Sequence, residues 1–248
     1  MRYFLTLAYK GSNYAGWQRQ PNAPSVQETL ETALSTILRQ TAPLTGCGRT
    51  DAGVHARYYV AHLDIEGGLP DTFLIGLNSL LPQDIAVFSI REMPADAHAR
   101  YDAFERRYEY RITLRKNPFE TETAWFYPQG RRLQLDDLQT VAALLQQYEA
   151  FFPFCKTHSG VEHYTCSNLK ARWEVDEAAQ QLVFHISANR FLRGMVRLIV
   201  GACIQVGQGQ LTLEAVRTAL DTQTALEKNL SVPAEGLALT GVKYPYPI

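Results

Sequence analysis

The sequence predicts an α+β protein made of two similar halves, and three observations carry that prediction. Apolar residues recur at helical spacing in some stretches and alternate with polar ones in others. The same succession of strand and helix content occurs twice along the chain, although no sequence repeat proves a duplication. Finally, 248 residues with 46% hydrophobic content can bury about three quarters of the unfolded surface, enough for one large or two modest cores. The halves are expected at residues 1–104 and 105–248.

The elements of the first half follow in order. Phe4, Leu5, Leu7 and Ala8 lie in an N-terminal run of strand character. Ser25 and Glu28 form a capping box, so a helix starts there, and Val26, Leu30, Ala33, Leu34, Ile37 and Leu38 are its buried stripe, which ends before Pro43. Strand character at 57–65 and 84–91, with a short helix over 71–80 between them, completes a β-α-loop-β-α-β order. In the second half Tyr108, Tyr110 and Ile112 alternate with polar residues as a half-buried strand does. Leu138, Val141, Ala142, Leu145 and Tyr148 mark a helix, residues 171–175 and 181–187 read as a hairpin, and a long helix is expected from about Asn189.

Between the first helix and the next strand lies Gly46-Cys-Gly-Arg-Thr-Asp-Ala-Gly-Val-His55, with three glycines, one guanidinium and one carboxylate. No other acid occurs between Glu31 and Asp64. Glycines permit backbone conformations forbidden to other residues and let a large ligand approach the main chain. An isolated Asp-Ala-Gly usually makes an Asx-type turn, but clearance on this scale around one acid points to Asp51 as a working side chain.

Net charge is −1, which by itself does not suggest a nucleic-acid partner, yet the charges are unevenly placed. Six basic and three acidic residues fall between Arg100 and Lys116, and three arginines with no acid between Ile186 and Gln210. Phosphate binding needs only such a local positive surface. Arg190, Arg193 and Arg197, three and four apart, are expected on one face of the long helix, turned toward water, phosphate or carboxylates from elsewhere. Gly194 and Gly201, poor helix formers, indicate close packing there.

No run approaches the roughly 18 apolar residues of a membrane span and the N-terminus lacks the form of a signal peptide, so a cytoplasmic protein with its four cysteines as free thiols is expected. Cys155, His158, His163 and Cys166 are spaced as four potential zinc ligands, but only four residues separate the histidines where structural zinc sites use about a dozen, so no metal is expected. There is no P-loop or dinucleotide fingerprint.

Gly48-Arg-Thr-Asp-Ala-Gly-Val-His55 resembles the signature of the TruA family of tRNA pseudouridine synthases, and the likeness spans the chain. It includes Tyr9-Lys-Gly-Ser-Asn-Tyr-Ala-Gly-Trp-Gln-Arg-Gln20 with Ser25-Val-Gln-Glu28, and then Asn78 to Ile85. His98-Ala-Arg100, Arg106-Arg-Tyr-Glu-Tyr110, the stretch around Met195-Val-Arg197 and Ala234-Glu-Gly-Leu237 follow in the family's order. Cys166-Ser-Asn-Leu169 departs from the family, where an Arg-Thr pair is usual, and puts contacts made there in doubt. The resemblance implies two ferredoxin-like halves with antiparallel sheets joined side by side around a central cleft. It implies conversion of uridine to pseudouridine in the anticodon stem-loop of tRNA, around nucleotides 38 to 40, by a homodimer.

The same resemblance implies roles. Asp51 is the essential carboxylate, acting as nucleophile at ribose C1′ or as base on the C2′ proton. Arg197 is its cationic partner, Tyr108 stacks on the uracil, Arg49 fills the place of the extruded nucleotide, and Leu237 touches the base. Arg190 and Arg193 are expected to contact phosphates, so binding should weaken with salt. The isomerisation neither oxidises, reduces nor hydrolyses, so no cofactor is expected. Two other readings compete: a catalytically silent RNA-binding module on the same fold, and an unrelated hydrolase using Asp51 as nucleophile. The joint presence of Asp51, Tyr108 and Arg197 speaks against the first, and the lack of a second local carboxylate against the other.

Overall fold

The apolar N-terminal run forms strand β1 (Arg2–Tyr9), and Ser25 caps helix α1 (Val26–Leu38) as the capping box predicts: its hydroxyl accepts from the Glu28 N–H at 3.2 Å. Strands β2 (Thr45–Gly46) and β3 (His55–Asp64), helix α2 (Phe73–Leu80) and strand β4 (Ile85–Met93) follow, so the expected order is observed with a short strand added. The computed structural model describes residues 1–156, 162–226 and 230–248.

The chain continues through β5 (Glu105–Thr113), β6 (Trp125–Phe126), α3 (Leu135–Leu145), β7 (Lys170–Asp176), β8 (Gln181–Ala188), α4 (Met195–Gly207), α5 (Leu213–Thr222) and β9 (Leu237–Lys243). Two compact units result. One holds Met1–Glu105 with Ala238–Ile248, the other Arg106–Leu237. The α+β class read from the sequence is the observed one.

In the first unit, β1 is the middle of an antiparallel β4-β1-β3 ladder. The remaining edge of β3 is shared by β2, antiparallel at Ala61 and His62, and by β9, parallel at His55 and Ala56. Both faces of β3 are covered, which is why eight of its ten residues are buried or half-buried. Leu5, Leu7, Leu30, Leu34, Val60 and Leu77 are fully enclosed. On the opposite face Phe4 stacks on His62, and Tyr244 and Tyr246 of the C-terminal tail meet Phe4 edge-on. Tyr244 then donates to the Ala99 carbonyl at 2.6 Å and Tyr246 to Asp102 at 2.7 Å, which ties the chain's end to the segment after β4.

In the second unit β8 lies between β5 and β7, antiparallel to both. The outer strand β7 would expose backbone groups, but two side chains of the α3 region close it: Gln139 accepts from the Trp173 N–H at 2.9 Å and Gln146 donates to the Ala171 carbonyl at 3.2 Å.

The long helix expected from Asn189 begins six residues later, at Met195. Gly194 sits at its N-cap with φ +71°, a left-handed conformation that an L side chain adopts only at a cost, so the helix cannot extend back through it. Arg190 and Arg193 therefore lie in the preceding loop, and only Arg197 is helical. Gly201 does mark close packing: a Cβ there would come within 1.7 Å of the Leu230 carbonyl oxygen. Helix α5, which was not expected, is capped by Thr212 accepting from the Ala215 N–H at 3.1 Å. Among the described residues no helix is long and apolar enough to cross a membrane.

Candidate active site

The loop carrying Asp51 is built from its backbone outward. Gly16 approaches so closely that a Cβ would lie 2.3 Å from the Thr50 carbonyl oxygen, and its φ of +101° also calls for glycine. Around it the Trp17 N–H donates to the Thr50 carbonyl, the Gly53 N–H to the Tyr14 carbonyl and the Val54 N–H to the Asp51 carbonyl. The segment between β1 and α1 thus clamps residues 50 to 54. Gly11 completes the clamp by donating to buried His55 Nδ1 at 3.0 Å.

An aromatic pedestal supports the loop from below. Trp17 and Tyr59 stack with centroids 4.0 Å apart, and Tyr9 lies against both. The Tyr9 hydroxyl shares a buried 2.9 Å hydrogen bond with Thr50 Oγ1, and the Tyr59 hydroxyl donates to the Gly48 carbonyl. Sequence reasoning missed this pedestal. Tyr59 belongs to a strand core and Trp17 to a different loop, so only the long-range fold brings them together. Above it Asp51 is half-buried and Arg49 exposed.

The second unit carries the other sequence-predicted residues. Tyr108 on β5 is half-buried and meets Phe191 edge-on at 5.2 Å. Arg197, in the first turn of α4, donates from Nε to the Val232 carbonyl at 2.6 Å, which fixes the guanidinium against the 230–236 segment. That segment is held in turn by the buried Tyr110 hydroxyl donating to the Pro233 carbonyl at 2.8 Å and by the Arg111 N–H donating to the Gly236 carbonyl. Burial pushes the Tyr110 phenol far up, so it remains a donor. Leu237 is buried and closes a turn on the Ala234 carbonyl.

Arg190 is half-buried with its guanidinium 2.7 Å from His163 Nε2, and Arg193 is exposed. The Lys156 stem lies against Gly194, and its N–H donates to the Arg193 carbonyl. Cys155, His163 and Cys166 are described, whereas His158 lies outside the described residues. Burial pushes the Cys166 thiol up to about 11.

A half-buried carboxylate on a backbone-clamped loop, with a guanidinium two residues away, is a group capable of nucleophilic or general-base chemistry on a polar substrate. Comparison with known proteins narrows that class. Residues 6–102 and 147–245 match the tRNA pseudouridine synthase family, and the chain belongs to it. The tRNA pseudouridine synthase A of Porphyromonas gingivalis is 44% identical over 247 residues, covering 98% of this chain and 97% of that protein. That of Bacteroides thetaiotaomicron is also 44% identical, over 98% and 91% of the two chains, and that of Clostridium acetobutylicum 33%, over 97% and 98%.

Proposed function

We propose that this protein isomerises uridine to pseudouridine in tRNA, at the anticodon stem-loop around nucleotides 38 to 40, with Asp51 as the essential carboxylate. The observation that carries the reading is the clamped loop: the Thr50 carbonyl and the Gly53 N–H on either side of Asp51 are held by the segment between β1 and α1, as a reaction that demands fixed geometry requires.

The reaction breaks the bond from ribose C1′ to uracil N1, turns the base and joins C1′ to C5 of the same ring; C5 gives up its proton and N1 takes one up, so nothing is gained or lost overall. Asp51 acts as nucleophile at C1′ or as base on the C2′ proton through a glycal. Both routes start from the ionised carboxylate. A primary isotope effect from deuterium at C2′ marks the glycal route, and its absence the nucleophilic one. Tyr108 is assigned to stack on the uracil, Arg197 to supply a positive charge, and Leu237 to contact the base. A stem uridine must first be extruded, at about a few kcal/mol, and Arg49 takes its place in the stack. Arg190 and Arg193 contact backbone phosphates in a region of RNA read through shape and stacking. We further propose a cytoplasmic homodimer.

The test is incubation with unmodified tRNA bearing uridine at those positions, followed by nucleoside analysis. Wild type should form pseudouridine and Asp51→Ala none. Equal conversion by both removes Asp51 from the mechanism.

A further inference from the structure

Beside the clamped loop, within the first unit, lies a cleft of about 190 Å³ whose walls include Trp17, Gln18, Gln27, Gly48, Arg49 and Arg100. It is smaller than the roughly 300–1,000 Å³ pockets that enclose a whole small ligand, so it suits one group of a larger molecule. Among the lining residues Gln27 is already satisfied. Gln27 accepts from Gln18 Nε2 at 2.7 Å and from the Arg19 N–H at 3.1 Å, and donates to Glu31 and to the Leu44 carbonyl. None of the lining residues carries a carboxylate. Its charge therefore comes from two guanidiniums, Arg49 and Arg100, and a guanidinium fork matches phosphate oxygens.

Arg100 is presented on a built turn. The His98 ring accepts from both the Arg100 and Tyr101 N–H groups, at 3.1 and 3.2 Å, while the His98 N–H donates to Asp102 at 2.7 Å. The Tyr101 ring packs on His98 at 4.3 Å, and the Arg100 guanidinium carbon lies 5.7 Å from the centre of that ring. An aromatic face under a guanidinium restrains where the charge points.

We propose that Arg100 holds a backbone phosphate of the tRNA at this cleft, with Tyr101 positioning its guanidinium and Arg49 adding only to the local positive field. The proposal rests on the tRNA reading above. It is tested by measuring tRNA affinity by filter retention, and kcat at saturating tRNA, over a range of potassium chloride for wild type, Arg100→Gln and Arg100→Lys, with thermal melts as a check on folding. Loss of one phosphate contact should lower affinity about eightfold near ~0.1 M salt and reduce the logarithmic salt slope by about 0.9. Arg100→Gln should show both with kcat retained, and Arg100→Lys should keep the wild-type slope. Wild-type affinity and slope in Arg100→Gln, or weaker binding with an unchanged slope, overturns the proposal. Wild type that converts uridine while Arg100→Gln is indifferent overturns this inference alone, whereas wild type that binds no tRNA overturns the functional reading with it.

Discussion

The Asp51 loop of the first unit and the arginine segment of the second achieve precision by opposite means. In the loop, position is set by backbone: glycines let one segment press on another, and carbonyls and amides lock them. In the arginine segment, position is set by long side chains reaching fixed acceptors, as Arg197 reaches the Val232 carbonyl, and the glycines serve the helix that carries it. A backbone clamp tolerates no added atom but spends no side-chain entropy. A side-chain anchor tolerates variation nearby but must order several rotors. Perturbing the first should damage turnover, and perturbing the second should damage folding.

The sharpest way to break that contrast is to add one methyl group to each region. Gly201→Ala places a Cβ 1.7 Å from the Leu230 carbonyl, an overlap with backbone that only separation of α4 from the 230–232 segment relieves. It should cost about 3 kcal/mol or more, read as a fall in the denaturation midpoint. Gly16→Ala adds a left-handed strain of about 1–3 kcal/mol to its overlap with the Thr50 carbonyl. Its larger effect should be on kcat, about 100-fold if Asp51 moves by ~1 Å. A Gly16→Ala protein that loses stability yet keeps wild-type kcat would show that loop precision is not what catalysis uses.

How much was legible follows the same division. The Ser25 cap was readable because its signal is local: one hydroxyl three residues from its amide partner. The arginine spacing was misleading because 190, 193 and 197 obey a helical period across a turn that is not helical, and Gly194 was the signal that should have stopped the helix. Helix α5 had its own local signal, Thr212 as a cap, that went unread. The pedestal of Tyr9, Trp17 and Tyr59, the return of β9 to β3, and the cleft beside Arg49 are products of long-range pairing. No periodicity within a window of residues encodes them.

The two units should also differ, by a smaller amount, in how acid unfolds them. In the first, His62 lies beneath Phe4 with its Nδ1 accepting from the Ala99 N–H at 3.1 Å, and burial, with Arg2 nearby, lowers its pKa from 6.5 to about 4. The folded state thus refuses a proton that the unfolded chain accepts at pH 6.5. Stability is complete above that value and declines as pH falls from 6.5 to about 4. Asp64 and Asp102, held below the usual carboxylate range by Arg2 and by Tyr246, withdraw their support only at lower pH. In the second unit His185 is also lowered by burial, but Glu109 and Glu174 stand 3.5 and 3.4 Å away and oppose the shift. Urea unfolding at pH 7.5, 6 and 5 should therefore show a loss that His62→Asn, which keeps an acceptor in the place of Nδ1 but cannot titrate, largely abolishes. An undiminished pH slope in His62→Asn would move the acid sensitivity to another group, with His185 and His98 next to be replaced.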